Sequence, residues 1–524
     1  MTTTDATTLT RRSAIELAGM IARREITAAE AVEAHIARIE AVNPALNAVV
    51  VKRYAEARAE AQAADAAVAR GETLGPLHGV PITIKESFAL SGTPATSGLQ
   101  TRATALATAD DIYVVRLRRA GAIILGKTNV PQLLLYIESD NPVYGRTNNP
   151  WNRERTPGGS SGGQSAIIAA GGSPLGLASD IGGSIRVPAT FCGLAGMKPT
   201  AGRTPDPSDF GLSAGEQAIV SQAGALARTV DDVALTIEIL NGGRNPATEP
   251  PQPLGDSTAV DIAHLRVAYY TDDGTLAVAP AVRRAVVEAA GVLAGLGAQV
   301  VEWRPPEVPQ AIDIFFGVLS ADGGRGARQA LAGSKVDPRI GQLIQLAGMP
   351  RPLLATLGGG LRLLGQRNAA AMLRNFGYHD TLHYWRLIEA QNAYKRRFAA
   401  ALDNDEGGPF DLIICPACAL PAFPHGASKD LVIAGGYAAL YNVLGYPTGI
   451  VPVTRVRADE ESQLKRSRDA VERAARQAEQ GSAGLPVGVQ VVARPWREHV
   501  ALAAMRAIEE RVRTRDDFPT TPVM

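Results

Sequence analysis

Apolar positions recur at intervals of three and four from Ser13 to about Ala69, as in Ile15, Leu17 and Ile21 and then Val32, Ile36 and Ile39. That period puts one side of each turn against a core and predicts two or three amphipathic helices. The pattern then changes. GVPITIK, ending at Lys85, and AIILGKT, ending at Thr128, are short apolar runs closed by polar residues, with a helical pattern around Val114–Ala120 between them. Strand, turn and helix keep alternating beyond Thr128. This predicts an α/β fold, a twisted mixed β-sheet covered by α-helices on both faces.

A few segments stand outside the alternation. Residues 1–12 are Thr-rich and are expected to form a disordered tail, leaving 13–524 as a single domain. Residues 243–259 (GRNPATEPPQPLGDSTA) read as a Pro-rich loop, and 457–483, almost all charged or small, as a solvated helix and loop bulging from the surface. In 349–373 the side chains of Leu353, Leu357, Leu361 and Leu364 share a helical face with Arg351, Arg362 and Arg367 nearby, interrupted at Gly358–Gly360. A basic amphipathic segment of this kind suits a membrane interface, a dimer contact or a substrate-entrance lid.

Composition narrows the classes. With 46% hydrophobic residues, 20% charged residues and a net charge of +1, the chain offers no bulk electrostatic case for nucleic acid. Three cysteines in 524 residues argue against a disulfide framework and fit a reducing, cytoplasmic setting. No window approaches about 18 uninterrupted apolar residues, the length of a membrane span. LTRRSAIELAGMIA near the start resembles a twin-arginine signal, but Glu16 interrupts its apolar run and Arg23, Arg24 and Glu25 follow at once, so a mature amphipathic helix is expected.

The chemistry concentrates between Pro157 and Pro199. Ser160 sits in GGSSGG and Ser184 in DIGGSIR, 24 residues further on, while Lys85 closes an apolar strand in PITIKES. Glycines before a serine let the backbone turn sharply and aim N–H groups at whatever the serine attacks. A lysine beside a buried strand is readily stripped of its proton by desolvation. Together they predict a serine nucleophile served by a lysine base, with no histidine required. Four other patterns are weaker. GAIILGKT at 121–128 matches GxxxxGK[ST] but has AIIL where a phosphate cradle needs flexibility. CPAC at 415–418 lacks a second cysteine pair for a metal site, and His379 and His383 lack the glutamate of HExxH. GGSSG also satisfies the nucleophile-elbow pattern GxSxG, with His425 or His499 as the histidine such a site needs.

The lysine motif, both serine turns and their spacing resemble the amidase signature family, as do HGVPITIKES at 78–87, LGKTNVPQ at 125–132, YNVLGYPTGIVPV at 441–453 and GLPVGVQVVARPWREHVAL at 484–502. The signature core would span about 75–240. Within the family, YYTDDGTLAVAPAVRRAV at 269–286, DPRIGQL at 337–343 and the charged insertion at 457–483 resemble the fatty acid amide hydrolase branch. The resemblance implies an amidohydrolase with Ser184 as nucleophile, Ser160 (preceded by a cis peptide) as proton relay and Lys85 as base. It also implies an oxyanion hole from the N–H groups of Ile181, Gly182, Gly183 and Ser184, and an acyl channel lined by Leu133, Leu134 and Leu135. Asp180 and Arg186 are expected to buttress the loop. Neither a metal nor an organic cofactor is implied. Hydrophobic acyl amides are the first substrate expectation, with esters also cleaved. Aryl or alkyl acylamides and carbamates are the alternative, and the amidase component of a tRNA-dependent amidotransferase is a third. The same branch places a membrane-docking cap where this chain has 349–373.

Overall fold

In the computed structural model, residues 6–205, 215–243, 250–461 and 463–520 are described. Helices Ala14–Ala22, Ala28–Leu46 and Tyr54–Arg70 form where the three-and-four periodicity predicts them. Ser13 with Glu16, and Thr27 with Glu30, close reciprocal capping boxes on the first two. Asp232 and Asp65 from other helices accept the remaining N-terminal N–H groups of Ala14 and Ile15, and of Ala28 and Ala29. The expected tail over 1–12 differs from Ala6 onward: Ala6–Leu9 is helical, and Leu9 and Thr10 are buried against the core. Residues 1–5 lie outside the described residues.

The strands are β1 (Val49–Lys52), β2 (Pro81–Lys85), β3 (Ile123–Thr128), β4 (Asp140–Asn141), β5 (Gly145–Arg146), β6 (Leu175–Asp180), β7 (Ala195–Lys198), β8 (Gln222–Ala227), β9 (Arg266–Tyr269), β10 (Gln299–Glu302), β11 (Leu412–Pro416), β12 (Thr448–Arg455) and β13 (Pro486–Ala493). All but the β4–β5 ribbon join one 11-stranded mixed sheet in the order β1-β3-β2-β6-β8-β7-β12-β13-β11-β9-β10. Central strands β2, β3, β6, β7, β8, β11 and β13 are buried at every residue, as strands covered on both faces must be. Edge strands β1 and β10 keep partly exposed positions. The expected helix-covered mixed sheet is what the chain forms.

One pairing sets up the chemistry. β2 runs parallel to β6 with Ile84 opposite Leu177, so Lys85 and the pair Ser179–Asp180 emerge together at the carboxyl ends of adjacent strands. Ligand sites of open α/β sheets gather at such ends.

The segment 457–483 departs from expectation. It connects the antiparallel strands β12 and β13, but its helix Ala470–Glu479 buries Val471, Ala475, Ala478 and Glu479 and does not bulge into solvent. Asp469 caps that helix through one carboxylate oxygen and accepts the Asn368 N–H through the other, while Gln366 bonds Arg468 O and Ala470 N. The charged residues therefore tie the insertion to the end of 349–373. In that segment the helix Arg351–Leu363 continues through Gly358–Gly360 and buries Leu354 alone. Of the Pro-rich stretch 243–259, residues 244–249 lie outside the described residues and the remainder is irregular.

A second long-range tie fixes the last helix, Glu498–Val512. Glu498 Oε1 meets Arg203 Nε at 2.6 Å, Oε2 meets the same guanidinium at 3.0 Å, and both side chains are fully buried. Removing one partner of a buried ion pair strands the other charge. Glu498→Gln is therefore expected to cost about 3 kcal/mol, read as a lower urea midpoint. An unchanged midpoint would show that Arg203 is satisfied by Asn241 and the carbonyls of Gln252 and Pro253.

Candidate active site

Lys85 ends β2 with its side chain fully buried. Its Nζ lies 2.7 Å from Ser160 Oγ, 3.0 Å from Ser179 Oγ and 3.3 Å from the Ser179 carbonyl. Three oxygens of the predicted serine region thus hold the amine. Ser160 is 1% exposed and follows a cis peptide from Gly159. Gly159 has no side chain for a reason of space: a Cβ there would stand 2.7 Å from both Glu138 N and Tyr136 O.

The second serine turn leaves the end of β6. Asp180, Gly183 and Ile185 are buried, whereas Ile181, Gly182 and Ser184 are partly exposed. Gly183 takes a φ of 115°, open to glycine and strained for any L side chain. The Asp180 carboxylate organises the turn, accepting the N–H of Gly183 at 2.8 Å and of Ile185 at 3.0 Å. Arg186 returns along the helix Arg186–Cys192 to meet the same carboxylate through Nε at 3.0 Å and a terminal nitrogen at 2.9 Å. Asn442 adds a third donor at 3.1 Å. Burial alone would raise the Asp180 pKa. The adjacent Arg186 guanidinium and the N–H donors outweigh it and hold the carboxyl well below the usual carboxylate range. Arg186 is itself satisfied by Ala438 O, Gln490 Oε1 and Asn442 Oδ1.

This geometry corrects one expectation. Gly183 was expected to contribute its N–H to an oxyanion hole, but Asp180 already takes it. Among the described residues, no acceptor engages the N–H groups of Ile181, Gly182 and Ser184. The two turns are joined directly, since Ser161 donates its N–H to the Ser184 carbonyl at 3.2 Å.

A second correction concerns the apolar lining. Leu133 is fully buried in a satellite cluster with Leu99, Ala327, Leu331, Ile340 and Ile344, and Leu134 packs with Val130. Leu133 and Leu135 pack against the helices Arg325–Leu331 and Pro338–Ala347, and of the three leucines only Leu135 is partly exposed. Among the apolar side chains that do reach the 181–185 turn is Phe315, whose Cζ stands 2.7 Å from where a Gly182 Cβ would be, with Ala438 and Val187 against Gly183. Phe316 packs edge-on to Phe315 at 5.6 Å and Phe376 follows at 6.3 Å.

The weaker patterns resolve into packing. GAIILGKT contributes the buried strand β3, with Lys127 bonding Pro94 O and burial pushing its pKa down to about 8. Cys415 and Cys418 are free, buried thiols, pushed by burial up to about 11 and about 12. His379 stacks on His383, with one ring nitrogen on Arg351 and the other on Asn375 O. His425 bonds Arg153 O and His499 lies against Gly255, so Ser160 has Lys85 for a partner and neither histidine. Reading by motif missed Ser179, Asn442, Gln490 and Phe315. Asn442 and Gln490 were visible as polar residues flanked by apolar ones inside the blocks 441–453 and 484–502.

Comparison with known proteins shows the family. The amidase family profile matches residues 30–502. Fatty-acid amide hydrolase 1 of Sus scrofa is 36% identical over 457 residues, 83% of this chain and 76% of that protein. Fatty-acid amide hydrolase 2-B of Danio rerio is 32% identical over 513 residues, 95% of this chain and 89% of that protein. Among solved structures, a fatty acid amide hydrolase superposes with a TM-score of 0.82 at 26% identity, covering 97% of this chain and 86% of the other. The lysine-and-serine site at the carboxyl ends of β2 and β6 is thus carried by a chain that belongs to the amidase family, hydrolases of amide carbon–nitrogen bonds.

Proposed function

We propose that this amidase cleaves amides of hydrophobic acyl groups through an acyl-enzyme on Ser184, with Ser160 and Lys85 as its proton path. The observation that carries the reading is the 2.7 Å contact between Lys85 Nζ and Ser160 Oγ, both buried, with Ser161, the next residue of that loop, donating its N–H to the carbonyl of the partly exposed Ser184. In its neutral form the Lys85 amine takes the Ser160 proton while Ser160 takes that of Ser184. The Ser184 oxygen then bonds to the substrate carbonyl carbon. The N–H groups of Ile181, Gly182 and Ser184 receive the oxyanion, and a donor of this kind contributes about 3 kcal/mol to the transition state. As the C–N bond breaks, the same proton returns through Ser160 to the leaving nitrogen. Water hydrolyses the acyl-enzyme by the reverse path.

Phe315 at the nucleophile turn supports an apolar acyl group, as does the likeness to fatty-acid amide hydrolase 1. A second reading, aryl acylamides or carbamates, is favoured by the aromatic run Phe315–Phe316–Phe376. For a lipid amide, the entrance falls to the helix Arg351–Leu363 and its end, where Leu353, Leu357, Leu363 and Leu364 are all exposed beside Arg362. Among the described residues no helix is long and apolar enough to cross a membrane.

Ser184→Ala is expected to lower kcat by at least about 10³-fold on amide and ester alike. Lys85→Ala should lower amide turnover about 10²-fold more than that of an activated ester, because the poorer leaving group needs the returned proton. Equal loss on both substrates would overturn the relay. In a series of acyl p-nitroanilides from acetyl to stearoyl, kcat/KM is expected to rise with chain length. Phe315→Ala should cut the value for long chains about tenfold while sparing acetyl. A maximum at benzoyl or turnover of aryl carbamates would select the second reading. Leu357→Glu with Leu364→Glu is expected to abolish co-sedimentation with anionic vesicles, and binding that survives would remove the segment from that role.

A further inference from the structure

The segment 132–140 runs alongside the catalytic loop in a conformation that its own sequence does not favour. Leu133, Leu134 and Tyr136 hold φ values of 55°, 56° and 77°, three left-handed non-glycine residues in four positions. Each costs on the order of 1 kcal/mol or more and persists only where the surroundings enforce it. This backbone is in contact with the relay. Tyr136 O and Glu138 N are the atoms facing Gly159, and Ser139 Oγ accepts the Gly162 N–H at 3.0 Å while donating to Gly158 O at 3.2 Å. The loop carrying Ser160 is therefore bracketed on both sides by residues 136–139.

The enforcing groups come from a distant part of the chain. Gln132 accepts the Asp337 N–H at 2.8 Å and donates to Lys335 O at 2.8 Å. Arg339, in the first turn of the helix Pro338–Ala347, reaches Glu138 at 3.2 Å and Asp140 at 3.0 Å, and is itself aligned by Asp337 at 2.5 and 2.9 Å. Its carbonyl accepts the Tyr136 hydroxyl at 2.9 Å. Glu138, 2% exposed, completes the clamp by accepting the N–H groups of Gly426 and Ser428. A single guanidinium fork thus spans both carboxylates of the bracketing segment, and a lysine could not hold them in the same planes.

We infer that Arg339 is a positioning residue for the proton relay: by fixing residues 136–140 it fixes Ser160 against Lys85, although it touches neither. The inference rests on the relay proposed above. Displacing a reacting group by about 1 Å can cost on the order of 10²-fold in rate. The loss should fall on the step that needs the relay most, proton return to a poor leaving group.

The test compares an amide and a p-nitrophenyl ester of the same acyl group. Arg339→Gln is expected to lower kcat on the amide about tenfold or more while changing ester kcat less than about threefold, with KM on both near the parent value. Arg339→Lys should fall between. Tyr136→Phe, which removes only the hydroxyl bond to the Arg339 carbonyl, should move the amide-to-ester ratio in the same direction by a smaller factor, and it decides the matter should Arg339→Gln not fold. In a Lys85→Ala background Arg339→Gln should leave the ratio where Lys85→Ala has put it. Equal loss on both substrates, no loss, or an additive effect in the double variant would overturn the assignment. Lys85→Ala alone separates the two ideas: if it spares the ratio, the relay itself is wrong and the role of Arg339 falls with it.

Discussion

The buried ion pair between Asp180 and Arg186 is the constraint on which the site depends. Both side chains are fully removed from water, which for isolated charges would be prohibitive. The fold offsets that cost by surrounding the pair with oriented groups: two N–H donors of the nucleophile turn, Asn442 and the Ala438 carbonyl from the helix Gly436–Leu444, and Gln490 from β13. Elements far apart in sequence must therefore dock before the turn bearing Ser184 can take its shape. The carboxylate also consumes the Gly183 N–H, so the turn has one fewer N–H to offer than its glycines suggest.

Lysine placement follows from sheet register in the same way. Parallel pairing of β2 with β6 brings Lys85 to the level of Ser179, which supplies two of the oxygens about the amine. The third is Ser160, delivered by a loop whose neighbours are backbone atoms of 136–138. Strand ends thus place Lys85, a charged pair shapes the turn bearing Ser184, and a clamped irregular segment lies against the loop bearing Ser160, which is joined to the Ser184 turn through the Ser161 N–H.

Much of this was legible in the sequence. Periodicity marked the first three helices, apolar runs marked β2 and β3, and the lysine and serines were singled out by glycine framing and spacing. What could not be read was set by tertiary partners. Leucines at 133–135 looked like channel lining because apolar residues after a strand look alike whether they face a ligand or a neighbouring helix. The charged stretch 457–483 looked solvated because charge suggests water, yet Asp469 and Glu479 find N–H donors and Arg284 binds Glu460. Residues 6–12 looked like a tail because threonines carry no period, and Leu9 is buried all the same. Gly183 looked like an oxyanion donor because local sequence does not reveal which acceptor reaches a given N–H first.

The helix Arg351–Leu363 is lightly held. It buries one leucine and carries three consecutive glycines, two of which have no atom within 4 Å of where a side chain would start. Each glycine costs a helix about 1 kcal/mol relative to alanine, and a single buried side chain returns little of that. This stretch lies at the low end of the molecule's local opening free energies, while the sheet beneath it lies at the high end. Its amides would exchange with solvent through local opening that leaves the sheet intact. Opening of this helix is therefore expected on a timescale independent of global unfolding, with the strands that end at Lys85 and Asp180 staying paired throughout.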